Sequence, residues 1–133
     1  MVVDATKQVG KYAAECGIEL IIEMLPFEFA FVNSLDSMER FLNALDLKNV
    51  KATIDISHFW LQRVPPKDFC RLQGRVAHVH ISDCDGAKHG DFPPGRGNTP
   101  FIEYLSVILT LALTLPSHWN LSSRLTRPGC WLR

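Results

Sequence analysis

Three short apolar stretches each end in a side chain that can bind a cation. Glu23 follows Gly17-Ile18-Glu19-Leu20-Ile21-Ile22, Asp55 follows Lys51-Ala52-Thr53-Ile54, and His80 follows Val76-Ala77-His78-Val79. Two carboxylates and an imidazole suit a divalent metal such as Mn²⁺, Mg²⁺, Co²⁺ or Zn²⁺. Mixed oxygen and nitrogen ligation with open positions lets a hydroxy-carbonyl substrate bind through two oxygens. The metal then polarises the carbonyl and acidifies the neighbouring C–H, and a nearby carboxylate can move the proton. His58 lies three residues after Asp55 and within reach of the same place, either donating to a substrate oxygen or capping the loop. Taken singly, a terminal Glu reads as a solvated loop residue, an Asp as a cap on the next helix, and His78 or His80 as a hydrogen-bonded core residue. The recurrence at three consecutive strand ends favours a shared site.

The elements that must position these groups are legible in part. Asp4 to Cys16 reads as a helix closed by Gly17. Ile18 to Met24 reads as a strand, and the loop after it is rich in Phe27, Phe29 and Phe31. A helix starts near Ser34, with Met38, Phe41, Leu42 and Leu45 at helical spacing. Val50 to Ile56 is a second strand. Pro65-Pro66 opens a short helix through Leu72, Gly74 ends it, and Arg75 to Ser82 is a third strand. After the Gly/Pro-rich loop from Gly86 to Pro100, the chain is helical to about Thr110. The order α-β-α-β-α-β-α implies a parallel sheet with right-handed crossovers, which carries functional groups at the carboxyl ends of its strands. Ile21 with Glu23, Thr53 with Asp55, and His78 with His80 share strand faces, so one sheet face can present all three ligands.

Composition sets the outer bounds. A length of 133 residues suits one domain, and 47 % hydrophobic with 21 % charged residues is ordinary for a soluble globular chain. A formal net charge of zero makes no case for nucleic acid or an anionic membrane. The apolar run Leu105–Leu115 is about half the ~20 residues a membrane helix needs. Asp4 and Lys7 precede any long apolar run, so no secretory signal is read. Cys16, Cys70, Cys84 and Cys130 lack zinc-finger or redox spacing and read as reduced thiols of a cytoplasmic protein. All acids fall at or before Glu103, while Arg124, Arg127 and Arg133 lie beyond it. Composition therefore changes near residue 104.

The sequence resembles the sugar phosphate isomerase/epimerase-like group of xylose isomerase-like TIM barrels. The carrying residues are Ile22-Glu23-Met24-Leu25-Pro26, Thr53-Ile54-Asp55-Ile56-Ser57-His58, Ala77-His78-Val79-His80-Ile81-Ser82-Asp83 and Pro93-Pro94-Gly95-Arg96-Gly97, within a match from about residue 3 to about residue 108. The resemblance implies a metal site on the last four strands of an eight-stranded barrel, with Glu23, Asp55 and His80 as the first three ligands and a second glutamate as the fourth. It implies that Glu23 is also half of an acid/base pair working through an enediolate. His58 matches a substrate-contacting, catalytic histidine and Glu28 a second substrate contact. Lys88, His89 and Arg96 lie on the loop where related enzymes bind sugar hydroxyls or phosphate. The implied function is a metal-dependent isomerase or epimerase of a sugar or sugar phosphate. Dehydration of an inosose-type cyclitol and a catalytically inactive half-barrel are the alternatives, while the near-neutral charge speaks against a nuclease.

A complete barrel of this kind takes about 250 residues. The expectation is therefore α/β, a partial (β/α)8 TIM barrel over residues 1–110 holding roughly strands five to seven with flanking helices, and an irregular, non-matching tail over 111–133. No acid follows Glu103, so the fourth ligand is not found in this sequence. A three-strand fragment leaves sheet edges uncovered. Glu23, Asp55 and His78 are then expected to face water, and self-association or a partner completing the barrel is expected.

Overall fold

The computed structural model describes residues 1–114. It begins with α1 (Val2–Glu15), whose C-terminus is closed at Gly17 by a backbone in the left-handed region (φ 69°). There a residue without Cβ carries no steric cost. α1 packs closely through Gly10, where a Cβ would stand 2.6 Å from Leu47. The strand β1 (Leu20–Glu23) follows. The helix α2 (Leu35–Leu45) starts at Ser34, whose hydroxyl accepts from the Ser37 amide, satisfying a donor the first turn leaves orphaned. Its buried face is Leu35, Met38, Phe41, Leu42 and Leu45, the apolar stripe read from the sequence.

β2 (Val50–Asp55) runs directly into a helix, α3 (Ile56–Leu61). The sequence reading has no helix there. Ala52 to Ser57 alternates apolar and polar residues, so the strand pattern runs on across the switch to helix, and the start signal is Asp55 itself. The proline pair opens a 3₁₀ helix (Pro66–Leu72), then come β3 (Val76–His80) and α4 (Phe101–Thr114). α4 extends four residues past the expected end at 110. The rest of the expected tail, 115–133, lies outside the described residues, as does Cys130.

The sheet is parallel in the order β1-β2-β3. β2, in the middle, is buried almost throughout, and its Ala52 and Ile54 meet Val50, Ile56, Phe59, Phe69 and Leu72 in one core. Phe59 and Phe69 meet edge to face at 4.7 Å, and Tyr104 on α4 closes the cluster by donating to the Val64 carbonyl at 2.8 Å.

The register of β3 matters most for the site. Ala52 pairs with Val76 but Thr53 with His78, so Ala77 is an extra residue, and Asp55 then stands beside His80. Without that irregularity Asp55 would lie opposite Val79, and His80 would turn to the helix-covered face.

Candidate metal centre

Glu23, Asp55 and His80 come from the C-terminal ends of β1, β2 and β3. Glu23 pairs with Thr53, Asp55 lies two residues further along β2 on the same face, and His80 is its cross-strand neighbour. Glu23 Oε1 is 3.0 Å from His80 Nδ1, and Asp55 Oδ2 is 3.7 Å from the same nitrogen. An ionised carboxylate has no proton to give, so His80 Nδ1–H donates to Glu23. One ligand-type atom from each residue lies within 4.8 Å of the others. Spacings of 3.0 and 3.7 Å are those of neighbouring donors around a cation bound at ~2.1 Å. The donor set, two hard oxygens and one imidazole, also fits a divalent cation of the Mn²⁺ or Zn²⁺ type. Metal uptake here would displace the Nδ1 proton.

Asp55 departs from expectation: it is 5 % exposed and does not face water. Its two oxygens have separate tasks. Oδ1 accepts from the Ser57 amide at 3.0 Å, the Ser57 hydroxyl at 2.9 Å, the Ser82 hydroxyl at 2.8 Å and, at 3.4 Å, the His58 amide. It is the N-cap of α3. Oδ2 is left for the site. The capping role and the ligand role, alternatives in the sequence, are compatible on one carboxylate. Glu23 is about one-third exposed and His80 nearly half exposed on their side chains, while His78 packs edge to face on the His80 ring at 4.9 Å.

His58, on the first turn of α3, is buried. Its Nδ1 is 2.8 Å from the Met24 carbonyl and 4.0 Å from Glu23 Oε1. A carbonyl only accepts, so Nδ1 carries a proton, and in that tautomer of the imidazole the lone pair is on Nε2. That atom is 3.0 Å from His89 Nε2. Glu28, Lys88 and Arg96 are exposed. Among the described residues, no hydrogen bond or ion pair joins their side chains to Glu23, Asp55 or His80.

The sequence reading gave no role to Asp83, which organises the loop after β3. It is 1 % exposed. Its Oδ1 accepts from the amides of Cys84 (2.8 Å) and Thr99 (3.1 Å), and its Oδ2 from those of Gly95 and Gly97 (both 2.8 Å). Burial pushes the carboxyl pKa up, but the hydrogen bonds from Gly97, Thr99 and Cys84 outweigh it and hold it at about 2. A depressed folded pKa gives stability that is fully present above the unfolded value of ~3.9 and is lost as pH falls toward 2. We therefore expect the loop to stay ordered to near pH 3 and to loosen between there and pH 2. Amide NMR signals of Gly95, Gly97 and Thr99 followed through an acid titration check this.

Residues 1–116 match the family of the xylose isomerase-like TIM barrel. The chain belongs to that family. Among curated relatives of this xylose isomerase-like TIM barrel chain, it is 28 % identical over 103 residues to D-psicose 3-epimerase of Ruminiclostridium cellulolyticum, covering 76 % of this chain and 33 % of the relative. It is 30 % identical over 104 residues to fructoselysine 3-epimerase of Escherichia coli O157:H7, covering 77 % and 38 %. The chain thus spans between 33 % and 38 % of the length of these sugar epimerases. Among solved structures it superposes on a D-tagatose 3-epimerase-like protein with a TM-score of 0.75 at 26 % identity, covering 82 % of this chain and 42 % of that one. The zinc-binding IOLI protein shares the fold, with a TM-score of 0.73 at 20 % identity over 82 % of this chain and 42 % of that one. The three parallel strands with flanking helices are thus part of an α/β barrel, as the resemblance implied, and the family match reaches eight residues past the expected 108. Among the described residues no helix is long and apolar enough to cross a membrane.

Proposed function

We propose that this chain carries the metal-binding portion of a divalent-metal-dependent epimerase or isomerase of a sugar or sugar phosphate, acting by proton transfer next to a carbonyl. The observation that carries the reading is the convergence of Glu23 Oε1, Asp55 Oδ2 and His80 Nδ1 at the ends of three adjacent strands. The sugar epimerases among its relatives support the substrate class.

Glu23, Asp55 and His80 would hold the cation. When bound, it supplies a Lewis acid that polarises a carbonyl and acidifies the adjacent C–H. The chain's own groups do the rest. Glu23, partly open to solvent and free of any cap duty, is the carboxylate placed to take or return a proton. Asp55, locked by α3 and the two serines, fixes one donor rather than moving protons. His58, with its tautomer set by the Met24 carbonyl, offers Nε2 as an acceptor for a substrate hydroxyl. To Lys88 and Arg96, exposed on the loop after β3, and Glu28, exposed on the loop after β1, we assign contacts with the distal part of a sugar.

A proton-exchange assay tests the reading. Incubated with Mn²⁺ and D-tagatose or D-fructose in D₂O, the protein is expected to incorporate deuterium next to the carbonyl. Glu23→Gln should lower the rate by at least ~100-fold, since a positioned base is worth about 10²–10⁴. Incorporation that survives Glu23→Gln unchanged would refute the assignment of the base.

A further inference from the structure

The tip of the loop after β3 reaches back into the site through one side chain. His89 Nε2 is 3.0 Å from Nε2 of the buried His58. His58 Nδ1 is committed to the Met24 carbonyl, so in the Nδ1–H tautomer of the imidazole His58 accepts and His89 donates in this contact. A hydroxyl donor would need the same lone pair on His58. The His89 ring is backed by Phe27 at 5.1 Å, itself stacked on Phe29 at 5.3 Å, and Asp91 Oδ1 lies 3.7 Å from His89 Nε2.

The two ends of this loop are held differently from its tip. Asp83 and Gly97 fix the base, Asn98 donates to the Asp85 carbonyl at 2.8 Å, and Arg63 donates to the Gly86 carbonyl at 2.7 Å. Gly86 sits in the left-handed region (φ 75°), and a Cβ there would stand 2.8 Å from the Trp60 indole nitrogen. Among the described residues, the backbone from His89 to Asp91 makes no hydrogen bond, and the tip is held by side chains alone. A firm base with a side-chain-held tip is the build of a local opening unit.

We propose that His89 is a gate: it occupies the hydrogen-bonding position on His58 Nε2 that a substrate hydroxyl must take, and it swings away with the loop tip when substrate enters. The proposal rests on the reading of His58 as the substrate-contacting histidine. It assigns His89 the opposite effect from a simple sugar contact. A contact strengthens sugar binding, whereas a gate competes with it. One neutral hydrogen bond nets about 0.5–1.5 kcal/mol, so opening the gate permanently should tighten binding roughly two- to tenfold.

Two readouts on the full chain separate the gate from the functional reading. The first is histidine carbethoxylation by diethyl pyrocarbonate, measured by mass spectrometry. Trypsin releases the segment 52–63, in which His58 is the single histidine. In the parent, His58 should react slowly. In His89→Ala it should react at least about fivefold faster, and in His89→Gln, which keeps a donor, it should stay close to the parent. Equal rates in all three proteins overturn the gate. The second is D-tagatose affinity in the presence of Mn²⁺. Tighter binding by His89→Ala supports the gate, and weaker binding overturns it in favour of a direct contact. If His58 is unmasked in His89→Ala while neither protein binds D-tagatose, the gate stands and the sugar reading is what has failed.

Discussion

Asp55→Ala is expected to lose metal binding and about 3 kcal/mol of stability together, while Asp55→Asn loses the metal and keeps most of the stability. The reason is the division of labour on one carboxylate. Oδ1 caps α3 and receives the hydroxyls of Ser57 and Ser82. Removing an N-cap costs about 1 kcal/mol, and stranding buried hydroxyl and amide donors adds about 1–3 kcal/mol. Asparagine caps as well as aspartate, so its amide oxygen can take over the Oδ1 bonds. Its NH₂ then replaces Oδ2 opposite His80, and an amide nitrogen is no ligand for a divalent cation. Urea denaturation beside a Mn²⁺ titration of both variants reads the two effects separately. Equal destabilisation by Ala and Asn, or retained metal affinity in Asn, would show that the oxygens do not have separate roles.

The second large effect is at Gly97. A Cβ there would stand 2.2 Å from the Cys84 carbonyl oxygen and 2.5 Å from Asp83 Oδ1. Both are backbone or tightly held atoms that cannot give way cheaply. Gly97→Ala must therefore push the loop off Asp83 and strand a buried carboxylate whose partners are the amides of Gly95, Gly97, Thr99 and Cys84. Hydrogen bonds to a charged group are worth about 1.5–3 kcal/mol each, so a loss of about 3 kcal/mol or more is expected. The Asp83 carboxyl should also titrate nearer its ordinary value than about 2. Gly95→Ala is the control: nothing lies within 4 Å of its Cβ position, and only its left-handed backbone (φ 86°) is strained, at about 1 kcal/mol. Thermal unfolding and ¹³C-detected carboxyl titration of the two variants check this ranking. A Gly97→Ala protein no less stable than Gly95→Ala would contradict it.

The alternation of strands and helices was legible because the apolar runs are short and separated by turn residues such as Gly17, Gly74 and the proline pair. The three ligands were legible because they recur at strand ends. What escaped the sequence depends on long-range pairing. The extra residue Ala77, which puts His80 beside Asp55 rather than on the opposite face, leaves no local mark in Val76-Ala77-His78-Val79. Helix α3 was hidden because the strand-like alternation from Ala52 to Ser57 continues across its start at Ile56. Asp83 was read only as part of a motif, because three of the four amides that bind its carboxylate lie twelve to sixteen residues away. The signal that could have found it is the pair Gly95 and Gly97, since two glycines so spaced let a backbone approach a buried anion. In the sequence His89 stands with Lys88 and Arg96 on the loop where the resemblance implies contacts to sugar hydroxyls or phosphate. Only the fold shows that it alone of the three turns back onto His58.

Glu23, Asp55 and His80 are proposed to bind one cation in common. Isothermal titration of the chain with Mn²⁺ and Zn²⁺, repeated on Glu23→Gln and His80→Ala, measures this directly. One site per chain, proton release on binding and at least a tenfold loss of affinity in each variant are expected. Absence of binding, or binding that both substitutions leave untouched, would contradict the shared site.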